Sequence, residues 1–212
     1  MIKMRLYFTV SCILFFSVAG SAQNWDINLL KPINKNETHF KNRYLEGAAS
    51  SVSLLSLAAP ASTLLLGFVK KNKRLQRDGW YMAGGLVFTG AVTYTLKHII
   101  DRPRPFEKYA FIVKRDDEGG GRSFPSGHTA SAFYTATAMS LQYKKWYVMV
   151  PAFVYAGSVG WARMYQGVHY PSDVLAGAAI GAGSALLADW VKRKHVKKKE
   201  ARAVSNAIPV NL

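Results

Sequence analysis

The sequence is poor in cysteine and in acidic residues. Cys12 is the only cysteine among 212 residues, so no disulfide can form within the chain and packing has to hold the fold. Charged residues make up 19% of the chain, which is low for a soluble domain and ordinary for a membrane protein with charged loops. Lys and Arg number 28, against 12 Asp and Glu. This positive excess indicates an anionic partner, which could be a nucleic acid, a membrane surface or a substrate.

Residues 1–22 have the features of a secretory signal. Lys3 and Arg5 form a basic start, and no charged residue occurs from Leu6 to Gly20. Small residues precede Gln23 at the positions that a signal peptidase reads, so we expect cleavage before Gln23. The alternative is an uncleaved first transmembrane helix, although this apolar run is shorter than the roughly 20 residues that a span needs.

Five further apolar stretches contain no charged residue. We interpret all five as membrane helices, the last two being only weakly hydrophobic and therefore packed among their neighbours. The predicted fold is an all-α, membrane-embedded helical bundle with five transmembrane helices, or six if residues 1–22 are retained. The bundle is expected over residues 23–190, followed by a basic cytoplasmic tail at 191–212. The stretches are Gly47–Val69, Gly79–Leu96, Thr129–Tyr143, Trp146–Ala162 and Val174–Leu187.

The basic residues predict how these helices are oriented. If the five helices cross the membrane alternately, one side carries 16 of the 28 basic residues and only 3 of the 12 acidic residues. The positive-inside rule makes that side cytoplasmic. The basic tail then lies beside anionic lipid. A nucleic-acid partner is not expected, because no aromatic residues are interleaved with the basic ones in the pattern of a nucleic-acid-binding fold.

Three clusters of polar residues fall on the opposite side, at the ends of the predicted helices. They occupy Lys97–Pro105, Pro125–His128 and Ala162–Asp173. Any one cluster alone would fit a helix cap, a turn or an interfacial anchor. Together they favour a functional site, because a compact bundle would bring the three together and ionisable residues at membrane depth are usually functional.

The chemistry of these clusters suits a bound anion. Arg104 and Arg163 can each grip phosphate oxygens through a guanidinium fork, and Lys97 adds a point charge. Ser126 and Gly127 precede a predicted helix, whose N-terminal N–H groups and dipole favour negative charge. A phosphoryl-transfer site needs little beyond such positioning, charge neutralisation and a nucleophile.

Two histidines can divide the remaining work. His169 has Asp173 four residues later, close enough to hold one ring nitrogen and to stabilise the imidazolium form. His169 is therefore the candidate nucleophile. His128 has no such neighbour and is the candidate acid that protonates the leaving oxygen. Asp101 and Arg102 are expected to form only a local ion pair or to serve the loop.

These motifs resemble the three-part signature of the type 2 phosphatidic acid phosphatases, the bacterial acid phosphatases and the vanadium-dependent haloperoxidases. The first part, Lys-x6-Arg-Pro, is Lys97 to Pro105, and the second, Pro-Ser-Gly-His, is Pro125 to His128. The third, Ser-Arg-x5-His-x3-Asp, is present except that its first residue is Ala162. The resemblance covers about half of the chain, from Gly79 to Trp190, and the combined motif is highly specific.

The resemblance implies a role for each matching residue. His169 would form a phosphohistidine, Asp173 would orient it and His128 would protonate the leaving group. The phosphatases of this superfamily use no metal ion or other cofactor. Its lipid-acting branch usually has six membrane helices, which is the best argument for retaining residues 1–22. The residues that would bind phosphate are Lys97, Arg104, Ser126, Gly127 and Arg163.

The predicted function is therefore a membrane phosphatase that acts on a lipid phosphate at the outer face of a bacterial inner membrane. Phosphatidic acid, phosphatidylglycerol phosphate, undecaprenyl pyrophosphate and lipid A phosphates are all open as substrates. The outward orientation favours undecaprenyl pyrophosphate or lipid A. Two alternatives are a vanadate-dependent haloperoxidase, against which the many spans argue, and a non-catalytic protein that binds anionic lipid. The sequence does not indicate an oligomeric state.

Overall fold

The computed structural model describes residues 25–35, 39–115 and 121–207. All regular secondary structure in these residues is helical, which confirms the predicted all-α class. The predicted signal segment at residues 1–22 lies outside the described part of the chain. Eight helices are described: α1 (25–35), α2 (His39–Ser50), α3 (Val52–Val69), α4 (Lys73–Ile100), α5 (Pro105–Lys108), α6 (Gly127–Tyr143), α7 (Trp146–Tyr165) and α8 (Pro171–Ala207).

The five long helices α3, α4, α6, α7 and α8 correspond to the five predicted apolar stretches. The first stretch is divided at Ser51, so that its beginning belongs to α2. Helix α8 continues through the basic segment to Ala207, because Lys and Arg are good helix formers. Two described segments, Val52–Val69 and Pro171–Arg202, are long and apolar enough to cross a membrane by length and composition. The expected total of five or six spans stays a prediction.

Helix α6 lies at the centre of the bundle and packs against α3, α4, α7 and α8. Its small side chains allow this close packing: Ala132 and Ala136 pack towards α3 and α7, and Ala138 packs towards α4 and α8. The one large buried side chain in its middle is that of Tyr134, whose hydroxyl donates to the carbonyl oxygen of Met82 at 2.7 Å. The bundle core is therefore narrow and built mainly of small residues.

The outer faces of the long helices are apolar. Leu54 on α3 is 71% exposed and Val87 on α4 is 73% exposed, and many other large apolar side chains point outward. Soluble monomers rarely expose contiguous apolar patches of this kind, whereas a bundle embedded in lipid needs them. The exposed apolar faces agree with the membrane-embedded class predicted from the sequence.

Two glycines of α8 allow its backbone to lie directly against the backbone of α6. A Cβ atom at Gly177 would lie 2.5 Å from the carbonyl oxygen of Ser126, and one at Gly181 would be closer still to that of Ala130. Residues four apart lie on the same face of a helix, and such pairs of small residues are typical of tight contacts between membrane helices. The contact fixes the start of α6 against the first turns of α8.

The bundle has two chemically different ends. Three basic segments, at residues 70–77, 144–145 and 192–202, belong to one of them. There Arg74 of α4, Lys144 after α6 and Lys192 of α8 line a common cavity. We call this the basic end. The opposite end, where α4 and α7 finish and α6 and α8 begin, carries the three polar clusters, and we call it the site end.

Replacing Gly181 with Ala should destabilise the bundle, because the added methyl group would meet the α6 backbone. Overpacking of this kind costs about 1–3 kcal/mol, which should appear as a lower melting temperature in detergent. Gly183→Ala is the matched control, since a Cβ there has open space around it. An unchanged melting temperature for Gly181→Ala would contradict the close contact between the two helices.

Candidate active site

The structure brings the three polar clusters together at the site end. Ser126, at the start of α6, donates its backbone N–H to the carbonyl oxygen of Asp173 in the first turn of α8, at 3.0 Å. Lys97, near the end of α4, lies within electrostatic range of Arg104, Arg163 and Asp173. Residues that are far apart in the sequence therefore form one site, as the motif spacing predicts.

His169 lies in the turn between α7 and α8 and is fully enclosed, with 2% of its surface exposed. Its Nδ1 atom is 3.6 Å from Oδ2 of Asp173, slightly beyond hydrogen-bond length. Burial lowers the pKa of His169 to about 4, and Arg163 and Lys97 act in the same direction, whereas Asp173 opposes the shift. The imidazole is therefore neutral at neutral pH, which is the form that a nucleophile requires.

Asp173 is held from several directions in addition to His169. Its Oδ2 accepts a hydrogen bond from the backbone N–H of Tyr170 at 2.8 Å. Its Oδ1 accepts one from Nη1 of Arg102 at 2.7 Å, and its side chain is completely buried. Both carboxylate oxygens are fixed, so the side of the imidazole that faces Asp173 is fixed as well.

Cationic side chains surround this pair. Arg163 is 2% exposed, and its Nη1 donates to Oε1 of Gln166 at 3.1 Å. The Nε and Nη1 atoms of Arg104 are buried and have no hydrogen-bond partner among the described residues. Lys97 donates to the carbonyl oxygen of Arg122 at 2.7 Å through one of its three protons. Buried guanidinium nitrogens without acceptors are costly, so this arrangement suits a bound anion.

The start of α6 contributes its backbone. The hydroxyl of Ser126 caps the helix by accepting from the N–H of Thr129 at 3.4 Å, and its own N–H is committed to Asp173. The backbone N–H of Gly127 lies in the first helical turn, whose N–H groups have no acceptor within a helix. His128 follows in the same turn and is partly buried. The N–H of Ser126, which the sequence analysis expected to face an anion, is therefore already engaged by Asp173.

The family model of the PAP2 superfamily matches residues 78–197, more than half of the chain and the whole of this site. The protein belongs to the PAP2 superfamily.

No group of three or more His, Cys, Asp or Glu side chains within residues 25–35, 39–115 and 121–207 is placed to hold a metal ion.

Known PAP2 proteins of several specificities are similar to this chain. A lipid A 1-phosphatase of Rhizobium johnstonii is 31% identical over 151 residues, which cover 68% of this chain and 56% of that protein. An undecaprenyl-diphosphatase of Sulfolobus acidocaldarius is 26% identical over 188 residues, covering 88% of each. The crystal structure of a transmembrane phosphatidylglycerolphosphate phosphatase from Bacillus subtilis superposes with a TM-score of 0.67 at 26% identity, covering 87% of this chain and 96% of that one. The chain spans only 19%, 56% and 59% of three lipid A 1-phosphatases that it matches.

Ala162 replaces the serine with which the third PAP2 motif begins. It is fully buried and packs in an apolar cluster with Leu45 and Ala49 of α2 and with Tyr165. A methyl group fits this apolar contact without leaving a polar atom unsatisfied. The substitution therefore agrees with the way that α2 packs against α7 in this protein.

The N-terminal helix α1 supports the PAP2 site in a way that the sequence did not reveal. Asp26 is fully buried and accepts hydrogen bonds from Nη2 of Arg102 at 2.7 Å and from the backbone N–H of Ser172 at 2.9 Å. Asn34 donates to the carbonyl oxygens of Val113 and Tyr165, both at 2.9 Å. Helix α1 thus joins the loops on both sides of α5 to the end of α7 and the start of α8, which flank the turn that carries His169.

Arg102 is the functional residue that sequence reasoning underestimated. It bridges two buried carboxylates, Asp26 and Asp173, and its guanidinium lies 3.8 Å from the centre of the Tyr170 ring. Its position beside Arg104 in the first motif was a signal, but its partners could not be identified because Asp26 is 76 residues away. The expected local ion pair belongs instead to Asp101, which contacts Arg122.

Arg102→Ala should destabilise the protein strongly, because it leaves two buried carboxylates without their cation. Breaking a buried pair in this way costs about 3–5 kcal/mol, measurable as a large fall in melting temperature in detergent. Arg122→Ala is the matched control, since Arg122 also pairs with one carboxylate but the pair is exposed and should contribute no more than about 1 kcal/mol. Equal melting temperatures for the two variants would contradict the bridging role of Arg102.

Proposed function

We propose that this protein is a membrane phosphatase that hydrolyses a lipid phosphate through a phosphohistidine at His169. The observation that carries the proposal is a buried, neutral histidine beside three cationic side chains, those of Lys97, Arg104 and Arg163. The carboxylate that faces His169 is that of Asp173, and it is already bound by Arg102. The surplus positive charge is suited to a phosphoryl group, which carries up to two negative charges.

The geometry supports a definite division of roles. Nδ1 of His169 faces Asp173, which leaves Nε2 to attack phosphorus. Asp173 holds the ring in one tautomer and stabilises the positive charge that develops on it. Arg104 and Arg163 can bind the equatorial phosphoryl oxygens, together with Lys97 and the N–H of Gly127.

The reaction would proceed in two displacements. In the first, a bond forms between Nε2 of His169 and phosphorus while the bond from phosphorus to the leaving oxygen breaks, and His128 gives that oxygen its proton. In the second, His128 takes a proton from water, the water oxygen attacks phosphorus and the nitrogen–phosphorus bond breaks. Inorganic phosphate leaves and both histidines return to their starting states.

The orientation of the site is also a proposal. The three basic segments share the end of the bundle opposite to the site. The positive-inside rule would make that end cytoplasmic and would expose the site to the periplasm or the exterior, in a bacterial inner membrane. This orientation supports a substrate in the outer leaflet.

The substrate class follows from the membrane setting and from the relatives. The similar proteins act on a lipid A phosphate, on undecaprenyl diphosphate and on phosphatidylglycerol phosphate, as their names state. All three are phosphates on a lipid, so the shared chemistry is hydrolysis of a lipid-linked phosphate monoester or pyrophosphate. An outward site favours lipid A phosphates or undecaprenyl pyrophosphate over phosphatidic acid and phosphatidylglycerol phosphate.

The experiment is a phosphate-release assay on these four lipids, with the full chain in detergent and EDTA present. We expect the wild type to release phosphate and His169→Ala to lose at least about 10³-fold in kcat, because the nucleophile is gone. His98→Ala is the matched control. His98 is exposed on α4, and the hydrogen bond and ring contact that it makes among the described residues are with Tyr94, so its loss should leave the rate unchanged.

Retained activity in His169→Ala would overturn the phosphohistidine mechanism. Activity that EDTA abolishes would replace it with a metal-dependent one. A folded wild type that releases phosphate from none of the four lipids would contradict the proposed function and favour a binding protein.

A further inference from the structure

A cavity of about 470 Å³ opens at the basic end of the bundle, opposite to the site end. It lies between the first turns of α4, the end of α6 and the middle of α8. Three acidic side chains and six basic ones line it. The basic residues are Arg74, Arg77, Lys144, Lys192, Arg193 and Lys197.

The acidic residues of this cavity do not neutralise it. Asp78 is buried and lies 3.3 Å from Lys192, which also contacts Asp189 at 2.9 Å. Lys144 and Lys197 have no ion-pair partner among the described residues, although they line the same space. The charged groups that face the cavity therefore carry a net charge of about +3 at neutral pH.

One buried donor in the cavity wall also lacks an acceptor. Nε of Arg77 is inaccessible to water and makes no hydrogen bond within the described residues. The nearest carboxylate oxygen, Oδ1 of Asp78, is 3.9 Å away and too distant for one. The Arg77 side chain as a whole is 41% exposed. An anion in the cavity would supply negative charge for this guanidinium and for the two lysines.

The aromatic residues show at which depth the cavity lies. Trp80, Tyr143, Trp146 and Trp190 are all exposed, and they sit on four different helices at the basic end. Exposed Trp and Tyr residues that ring a bundle mark the boundary between the hydrocarbon and the headgroups. The residues that line the cavity are close in sequence to these four aromatic residues. The cavity therefore lies at the level of the lipid headgroups.

The cavity also continues towards the apolar part of the bundle. Leu141 and Val196 belong to its wall, and a narrow crevice that shares Asp78, Leu141 and Lys192 with it runs on past Met82. A soluble anion would use only the charged part of such a space. A phospholipid would place its phosphate among the basic side chains while its acyl chains stay in the bilayer along the exposed apolar faces of the helices, because the crevice itself holds only about 20 Å³.

We propose that this cavity is a binding site for the headgroup of an anionic phospholipid, separate from the catalytic site. The phosphodiester would lie between Lys144 and Lys197 and near Arg77. Bound there, the lipid would hold α4, α6 and α8 together at the end where mutual repulsion of their basic residues opposes packing. The role is structural, and it is independent of which lipid the enzyme hydrolyses.

The test is a lipid titration of the full chain in detergent, followed by melting temperature. Phosphatidylglycerol at about a hundredfold excess over its dissociation constant should raise the melting temperature by about 5 °C or more. Phosphatidylcholine with the same acyl chains, and inorganic phosphate, should not. In Lys144→Gln/Lys197→Gln the apparent dissociation constant should rise about tenfold or more, because two contacts to the phosphate are lost.

Lys198→Gln/Lys199→Gln is the matched control, since it removes the same charge from two residues of α8 that do not line the cavity, and it should keep the wild-type shift. Equal loss in the two double variants would mean that the basic helix attracts lipid diffusely, and would overturn the site. Equal shifts with phosphatidylcholine would overturn the role of charge. A shift with inorganic phosphate that only Lys144→Gln/Lys197→Gln abolishes would overturn the lipid in favour of a soluble anion. None of these outcomes depends on phosphatase activity.

Discussion

The buried carboxylate of Asp173 is the interaction on which the rest of the site depends. It faces His169, accepts from the N–H of Tyr170 and is bound by Arg102, while its backbone oxygen accepts from Ser126. A carboxylate removed from water is stable only if charged and polar partners replace the water. Arg102, in the loop after α4, and Tyr170, in the turn before α8, satisfy the carboxylate. The backbone oxygen of Asp173 holds the start of α6, so this residue joins all three parts of the site.

The bundle around this point is organised by close packing and by charge rather than by large apolar side chains. Gly177 and Gly181 bring α8 against the backbone of α6, which is where Ser126 meets Asp173. Large apolar residues are instead turned outward, as lipid requires. The two ends differ in the placement of their positive charge: at one end cationic side chains lie near a histidine, and at the other they line the cavity between α4, α6 and α8.

Much of this arrangement could be predicted from the sequence. Uncharged stretches predicted the five long helices, and the spacing of Lys97, Arg104, His128 and His169 predicted one site, because these residues stand at helix ends that face the same way. The break at Ser51 could not be predicted, since neither a charge nor a proline marks it. Helix α1 was also missed. Asp26 acts through Arg102, and contacts between distant residues leave no periodic pattern in a single sequence.

The central claim is that His169 carries the phosphoryl group during turnover, and the most direct measurement is to trap it there. The full chain would be mixed with a lipid whose terminal phosphate is radiolabelled, quenched rapidly in alkali and digested, and the labelled peptide would be sequenced. We expect label that is stable to alkali and labile to acid, located on His169 and lost in His169→Ala. Label on another residue, or rapid turnover with no label on the protein at any quench time, would contradict it.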